Sequence, residues 1–211
     1  MEVVNNKDII YSKIYILLSS IAKSLLSTFN CIYFYNEGFS VTEIVIWLLV
    51  VYICYVIYQP FIIRYSYKLS NKINIVISLL FFLGTYLQLI FFLNTVTDLV
   101  INAILFSVYS CLYWNINHTL GFKTLTDKKI GRKVGILIII GQIAEIVASL
   151  VSAFILDYFS IIPLFITSSI LMIISTIYIF KLKEKRRVKS KDTIITYFKT
   201  IPKTTLFHIF L

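Results

Sequence analysis

The sequence predicts an all-α, polytopic integral membrane bundle of six transmembrane helices with both termini cytoplasmic. Three observations lead there. Of 211 residues, 59% are hydrophobic and 14% charged, with a mean hydropathy of +0.87; soluble domains run about 45–50% apolar and about 25% charged. The apolar residues gather in six stretches of spanning length. The basic residues fall in the connectors on one side of those stretches. Disorder is excluded by the same composition, and a disulfide scaffold by having only Cys31, Cys54 and Cys111. A net charge of +10 raises the question of nucleic acid. The basic residues lie in short runs between apolar stretches, however, and the aromatics lie inside them. That is the pattern of cytoplasmic loops, so the expected partner is the lipid bilayer and no nucleic acid.

A spanning helix needs about 20 mostly apolar residues, because each advances about 1.5 Å through a ~30 Å hydrocarbon layer. Span one is expected over Tyr11–Tyr35. Lys23 interrupts its apolar run and no convincing small-x-small site follows, so it reads as a span and not as a cleaved signal peptide. The connector NEGFSV leads to span two, Thr42–Tyr65, and SYKLSNK to span three, Ile73–Leu93. NTVTD leads to span four, Leu99–Thr124, and LTDKKIGR to span five, Lys133–Phe159. A tight turn at Ser160 leads to span six, Ile162–Phe180. With three prolines and six glycines in the chain, unbroken helices are expected. Tyr33, Phe34, Tyr35, Tyr65, Tyr67, Tyr158 and Phe159 crowd the span ends, where interfacial anchoring accounts for them.

Charge orients the bundle. Lys7 and Lys13 precede span one; Arg64, Lys68 and Lys72 follow span two; Lys123, Lys128, Lys129, Arg132 and Lys133 join spans four and five. Nine more follow span six, so nineteen of the twenty basic residues share one side. The other side carries Glu37, Glu43, Asp98 and Asp157 and no Lys or Arg. Residues 1–182 are expected to form the bundle and 183–205 a basic cytoplasmic linker near anionic headgroups. The apolar run 206–211 reads as a surface-lying helix or, preferably, as the start of a seventh span in a truncated chain.

Two ionisable residues fall deep in the spans: Lys23 in span one and Glu145 in span five, each about twelve residues, or roughly 18 Å, from its span's ends. A charge at the bilayer centre costs at least ~2.5–3.5 kcal/mol and normally faces a partner or a wet cavity. Ser27 and Asn30 follow Lys23 at helical spacing; Gln142 and Ser149 flank Glu145 at i−3 and i+4. On span four, Trp114 and Asn115 precede His118 by four and three residues. Two readings result. Lys23, Asn30, Asn115, His118, Gln142 and Glu145 line a polar route, with Glu145 or His118 carrying a proton; or Lys23 and Glu145 form an internal ion pair that ties helices together. A functional role is preferred for Lys23 and Glu145. His118 lies about four residues from the basic end, where a lone histidine more often caps or packs. No HExxH, paired-cysteine spacing, Gly-rich phosphate loop or Gly-flanked serine motif occurs, so neither an enzyme nor a metal or other cofactor is expected.

The layout resembles the N-terminal half of a major facilitator superfamily transporter along essentially the whole chain. The most specific stretch is Tyr113–Phe159, YWNINHTLGFKTLTDKKIGRKVGILIIIGQIAEIVASLVSAFILDYF. There, Gly131-Arg132 and Gly135 look like the basic glycine turn before span five, and Asp157-Tyr158-Phe159 like its acidic–aromatic end. GFSVTEI from Gly38 resembles the external turn into span two. The family's loop after span two is kept only in part: Lys68 and Lys72 remain, but Tyr67 stands where an Asp is usual and Ser70 where a second Gly is. The Gly-Pro…Gly-Gly pattern of some members' span five is replaced by Ala148, Ser149, Ser152 and Ala153, which still permit close packing.

The resemblance implies a secondary transporter moving a small solute across the cell membrane by alternating access, with a coupling proton or ion and a second six-helix half. It makes Lys68, Lys72, Gly131 and Arg132 candidates for a cytoplasmic gating loop. It puts spans one and four on the cavity and span three at the periphery. It also implies a three-plus-three inverted repeat, and none is visible in the residues. The alternative is a complete six-helix protein with a structural or assembly role, in which Lys23–Glu145 is an internal staple.

Overall fold

A computed structural model describes residues 6–123, 130–158 and 161–182. They form seven helices and, among the described residues, no strand: α1 (Asn6–Ser27), α2 (Asn30–Asn36), α3 (Val41–Lys68), α4 (Asn71–Phe91), α5 (Val96–Lys123), α6 (Ile130–Tyr158) and α7 (Ile161–Phe180). Six candidate spans result, because α1 and α2 together make the first, Ile10–Asn36. The others are Val41–Ser66, Asn71–Phe91, Val96–Leu120, Ile138–Leu156 and Ile161–Phe180. The segments 183–205 and 206–211, expected as linker and seventh-span start, lie outside the described residues, as do the turn at Ser160 and residues 124–129.

Span one is broken, contrary to the expectation from proline and glycine. The Thr28 hydroxyl donates to the Ser24 carbonyl at 3.1 Å, back-bonding of the kind that bends helices. The Phe29 amide donates to Leu26 O at 3.1 Å, a tighter turn than the helix before it. The break falls at Thr28 and Phe29, with no proline or glycine there to mark it in the sequence.

Side chains and one glycine set the turns. Gly38 has φ +93, a left-handed conformation that L side chains disfavour, and it reverses the chain between α2 and α3. Ser40 and Glu43 then form a reciprocal cap: Glu43 N donates to Ser40 Oγ at 3.3 Å, and Ser40 N donates to Glu43 Oε2 at 2.7 Å. Ser70 caps α4 by accepting from Ile73 N at 3.2 Å. Thr95 and Asp98 repeat the reciprocal cap at the start of α5, with Asp98 N on Thr95 Oγ1 at 3.3 Å and Thr95 N on Asp98 Oδ2 at 2.8 Å.

The packing falls into two triplets. α1 packs on α6 and α7; α5 packs on α3 and α4; α4 and α7 meet across the boundary. Exchanging span one with four, two with five and three with six carries each of these contacts onto another. Because successive spans run in opposite directions, the exchange inverts the triplet. The repeat that is invisible in the residues is therefore present in the contacts. Phe34, Trp47, Phe82, Tyr86 and Tyr109 fill the core beside α4 and α5. α3 and α6, each packed mainly on one central helix, turn Leu49, Tyr52, Val56, Ile146, Leu150 and Phe154 outward, as a lipid-facing surface does.

Three further sequence expectations need correction. The 66–72 connector shrinks to Leu69 and Ser70, because α3 runs to Lys68 and α4 starts at Asn71. Gly131 and Arg132 lie in the first turn of α6, not in a turn before it. Span three is not the most peripheral: wedged between α5 and α7, it buries Thr85, Tyr86 and Leu89, whereas spans two and five are the more exposed.

Candidate functional site

Small residues let α1 and α6 approach closely. A Cβ at Gly141 would meet Ser20 Oγ at 3.5 Å, and Ala144, Ala148 and Ser152 are buried on the same face. Hydroxyls fix the seam. Ser24 donates to the Glu145 carbonyl at 3.1 Å, and Ser152 donates to Leu25 O at 2.9 Å. Ser149, within 3.3 Å of Ser24 Oγ and 3.1 Å of Thr28 Oγ1, also donates to Glu145 O at 2.8 Å. The backbone at Glu145 is thereby held against α1 by Ser24.

This registration brings Lys23 and Glu145 together. Lys23 Nζ lies 3.6 Å from Glu145 Oε1, with the side chains 17% and 27% exposed. Gln142 Nε2 donates to Glu145 Oε2 at 3.4 Å. α5 closes the site from the other side: the Lys23 ammonium sits 4.7 Å from the centroid of the Trp114 ring and 5.3 Å from that of Tyr113. Such faces attract a cation through the ring quadrupole. Tyr113 Oη lies 3.2 Å from Ser20 Oγ, which ties the ring to α1. Trp114 stacks on His118, centroids 5.9 Å apart at 28°. His118 and Gln142 are exposed, so the site opens to the surface between α5 and α6.

Lys23, Gln142 and Glu145 thus converge, and His118 reaches them only through Trp114. Asn115 is half-buried and bonds through its carbonyl, which accepts from Thr119 Oγ1 at 2.8 Å. Asn30 lies beyond the break in span one, fully buried beside Tyr86, and neither its amide nor the Tyr86 hydroxyl makes a well-formed hydrogen bond. It does not belong to the Lys23 site. Lys68 is exposed at the end of α3, 5.6 Å from the Tyr65 ring centroid. Lys72, in the first turn of α4, sits 5.9 Å from that of Phe180. Gly131 and the Arg132 side chain lie where the surroundings are outside the described residues.

Sequence reasoning missed Tyr113, Ser20 and Ser24, and saw Trp114 only as a neighbour of His118. The spacing of Ser20 and Ser24 around Lys23 was an available signal for the seam. The pairing of α5 rings with an α1 lysine was not, since it needs the tertiary fold.

A family model described as Major Facilitator Superfamily matches residues 14–209. No curated protein and no solved structure matches the chain.

Proposed function

The chain belongs to the major facilitator superfamily, a family of transporters, and we propose that it is the N-terminal half of a secondary transporter moving a small solute by alternating access. The observation that carries this is the Lys23–Glu145 pair: two charges at mid-membrane depth, partly exposed, on a face that the chain's own helices leave open. Charges kept at that depth ordinarily serve a pathway or a solute. A second six-helix bundle would supply the opposite wall, and rocking of one half on the other would expose the site alternately to the two sides. Lys23, Glu145 and Gln142 are the residues proposed to meet the solute or a coupling ion, with Trp114 as the wall beside them. The nineteen-to-none basic asymmetry supports cytoplasmic termini, and the cell membrane is the proposed location.

Proteoliposomes test this reading. Residues 1–211 alone should not accumulate solute, and supplying a partner six-helix half should restore saturable uptake. Saturable uptake by the chain alone would point to a self-assembling six-helix protein. A chain that transports under neither condition, and whose Lys23→Met/Glu145→Gln double variant folds and behaves as the parent, would favour the staple reading.

A further inference from the structure

We propose that the Lys23–Glu145 pair is the docking point of a small zwitterion. Its ammonium replaces that of Lys23 between Glu145 and the rings of Trp114 and Tyr113, and its carboxylate takes up the freed Lys23. This rests on the pair being the solute site.

A carboxylate and two aromatic faces together form a receptor for an ammonium group. In this chain the receptor is filled by an ammonium of the protein itself, Lys23 Nζ, at 4.7 and 5.3 Å from the ring centroids and 3.6 Å from Glu145 Oε1. The occupant is loosely held. Charge-assisted N–H···O bonds usually measure about 2.7–2.9 Å, whereas the Lys23 contact is 3.6 Å and the Gln142 contact to the other carboxylate oxygen is 3.4 Å. Both carboxylate oxygens therefore retain capacity for a closer donor.

Charge balance selects the solute. The pair is neutral as a unit. A simple anion on Lys23 would strand the Glu145 carboxylate in the bilayer, and a simple ammonium on Glu145 would strand Lys23. An unpaired charge at this depth is the costly outcome. A solute carrying both groups exchanges one neutral pair for two, leaving every charge with a partner. The exposed Gln142 and His118 mark its way in.

Equilibrium dialysis of the purified chain in phosphatidylcholine nanodiscs tests this with probes of one carbon skeleton: β-alanine, propionate and propylamine. Glycine and γ-aminobutyrate bracket the spacing of the two charges. One of the three zwitterions should bind saturably, about tenfold or more tighter than either singly charged probe, since a stranded charge costs at least that factor. The Lys23→Met/Glu145→Gln double variant, which keeps the net charge, should elute as a folded monodisperse species and fail to bind. Absence of saturable zwitterion binding by the folded chain overturns the proposal. So does propionate binding as tightly and tightening as pH falls, which would mean an anion taken up with a proton. Undiminished binding by the double variant overturns it as well. A zwitterion that binds but crosses no membrane, even with a partner half, would sink the transporter reading and leave this one standing.

Discussion

The two triplets, α1–α6–α7 and α3–α4–α5, share one contact pattern but are joined by different chemistry. Around α5 the joint is an amide network. Asn102 accepts from Trp47 Nε1 at 3.2 Å and donates to Thr85 O at 2.9 Å and to Gln88 Oε1 at 2.8 Å. Gln88 in turn donates to Asp98 O at 3.0 Å. The rings of Phe82, Tyr86, Phe106, Tyr109 and Trp47 pack around this joint at centroid distances of 5.0–6.0 Å. Around α1 the joint is made of single hydroxyls: Ser24 on Glu145 O, Ser152 on Leu25 O and Ser168 on Ala22 O. Ser107 on Val51 O, at 3.0 Å, is the counterpart in the other triplet of the Ser24 bond.

The chemistry sets how firmly each seam is held. A serine can bond its own helix instead of its neighbour, as Ser152 also does to Ala148 O at 2.8 Å and Ser149 to Glu145 O at 2.8 Å. Losing the interhelical bond then leaves no orphaned hydroxyl, so each such bond contributes little by itself. Asn102 is fully buried with no such fallback, and an orphaned amide in a membrane interior is expensive. The α5 triplet is thus joined by a buried amide that loses more when orphaned, while the α1–α6 seam, which carries the ion pair, is joined by hydroxyls that each lose less.

Substitutions can break or sharpen this contrast. The largest effect is expected at Asn102→Leu, which leaves Trp47 Nε1 and Gln88 Oε1 without their partner. Thermal unfolding in detergent should show a loss of about 2–4 kcal/mol, since each orphaned buried group costs about 1–3 kcal/mol and some relax. A loss no greater than that of a serine variant would erase the distinction between the triplets.

Next come Lys23→Met and Glu145→Gln. Breaking a fully buried pair costs about 3–5 kcal/mol; with both side chains partly exposed, about 1–3 kcal/mol is expected for each. The double variant should recover most of it, and a double-mutant cycle measures the coupling. Additive losses would mean that the two charges do not stabilise each other across the seam.

Gly141→Leu probes the approach of α1 and α6. Its added atoms must enter the space where a Cβ already meets Ser20 Oγ at 3.5 Å, so overpacking of about 1–3 kcal/mol is expected. Gly141→Ala, in ordinary contact, should stay within about 0.5 kcal/mol. If leucine is tolerated as well as alanine, the seam is looser than the distances imply. The smallest effect is expected for Ser152→Ala, about 0.6 kcal/mol, the average for an interhelical hydrogen bond in a membrane protein. A loss above about 2 kcal/mol, several times that average, would show that the hydroxyl joints are not interchangeable after all.

Composition and hydropathy by themselves determined the class, the number of spans and their limits to within a few residues, because the bilayer sets a fixed apolar length that each segment must meet alone. They also singled out Lys23 and Glu145, since a charge is conspicuous in an apolar run. What they could not determine depends on partners distant in the chain. The break at Thr28 and Phe29 has no proline or glycine to announce it. The inverted triplets are a relation among contacts, in which Ser24 and Ser107, far apart in the chain, fill equivalent places. The cage around Lys23 needs α5 to lie where α1 and α6 meet, bringing Trp114 to a residue ninety-one positions away in the chain. A bilayer reads each span separately and so writes it into the sequence; the packing of one span on another is decided by shape and hydrogen bonding, which only the folded bundle brings together.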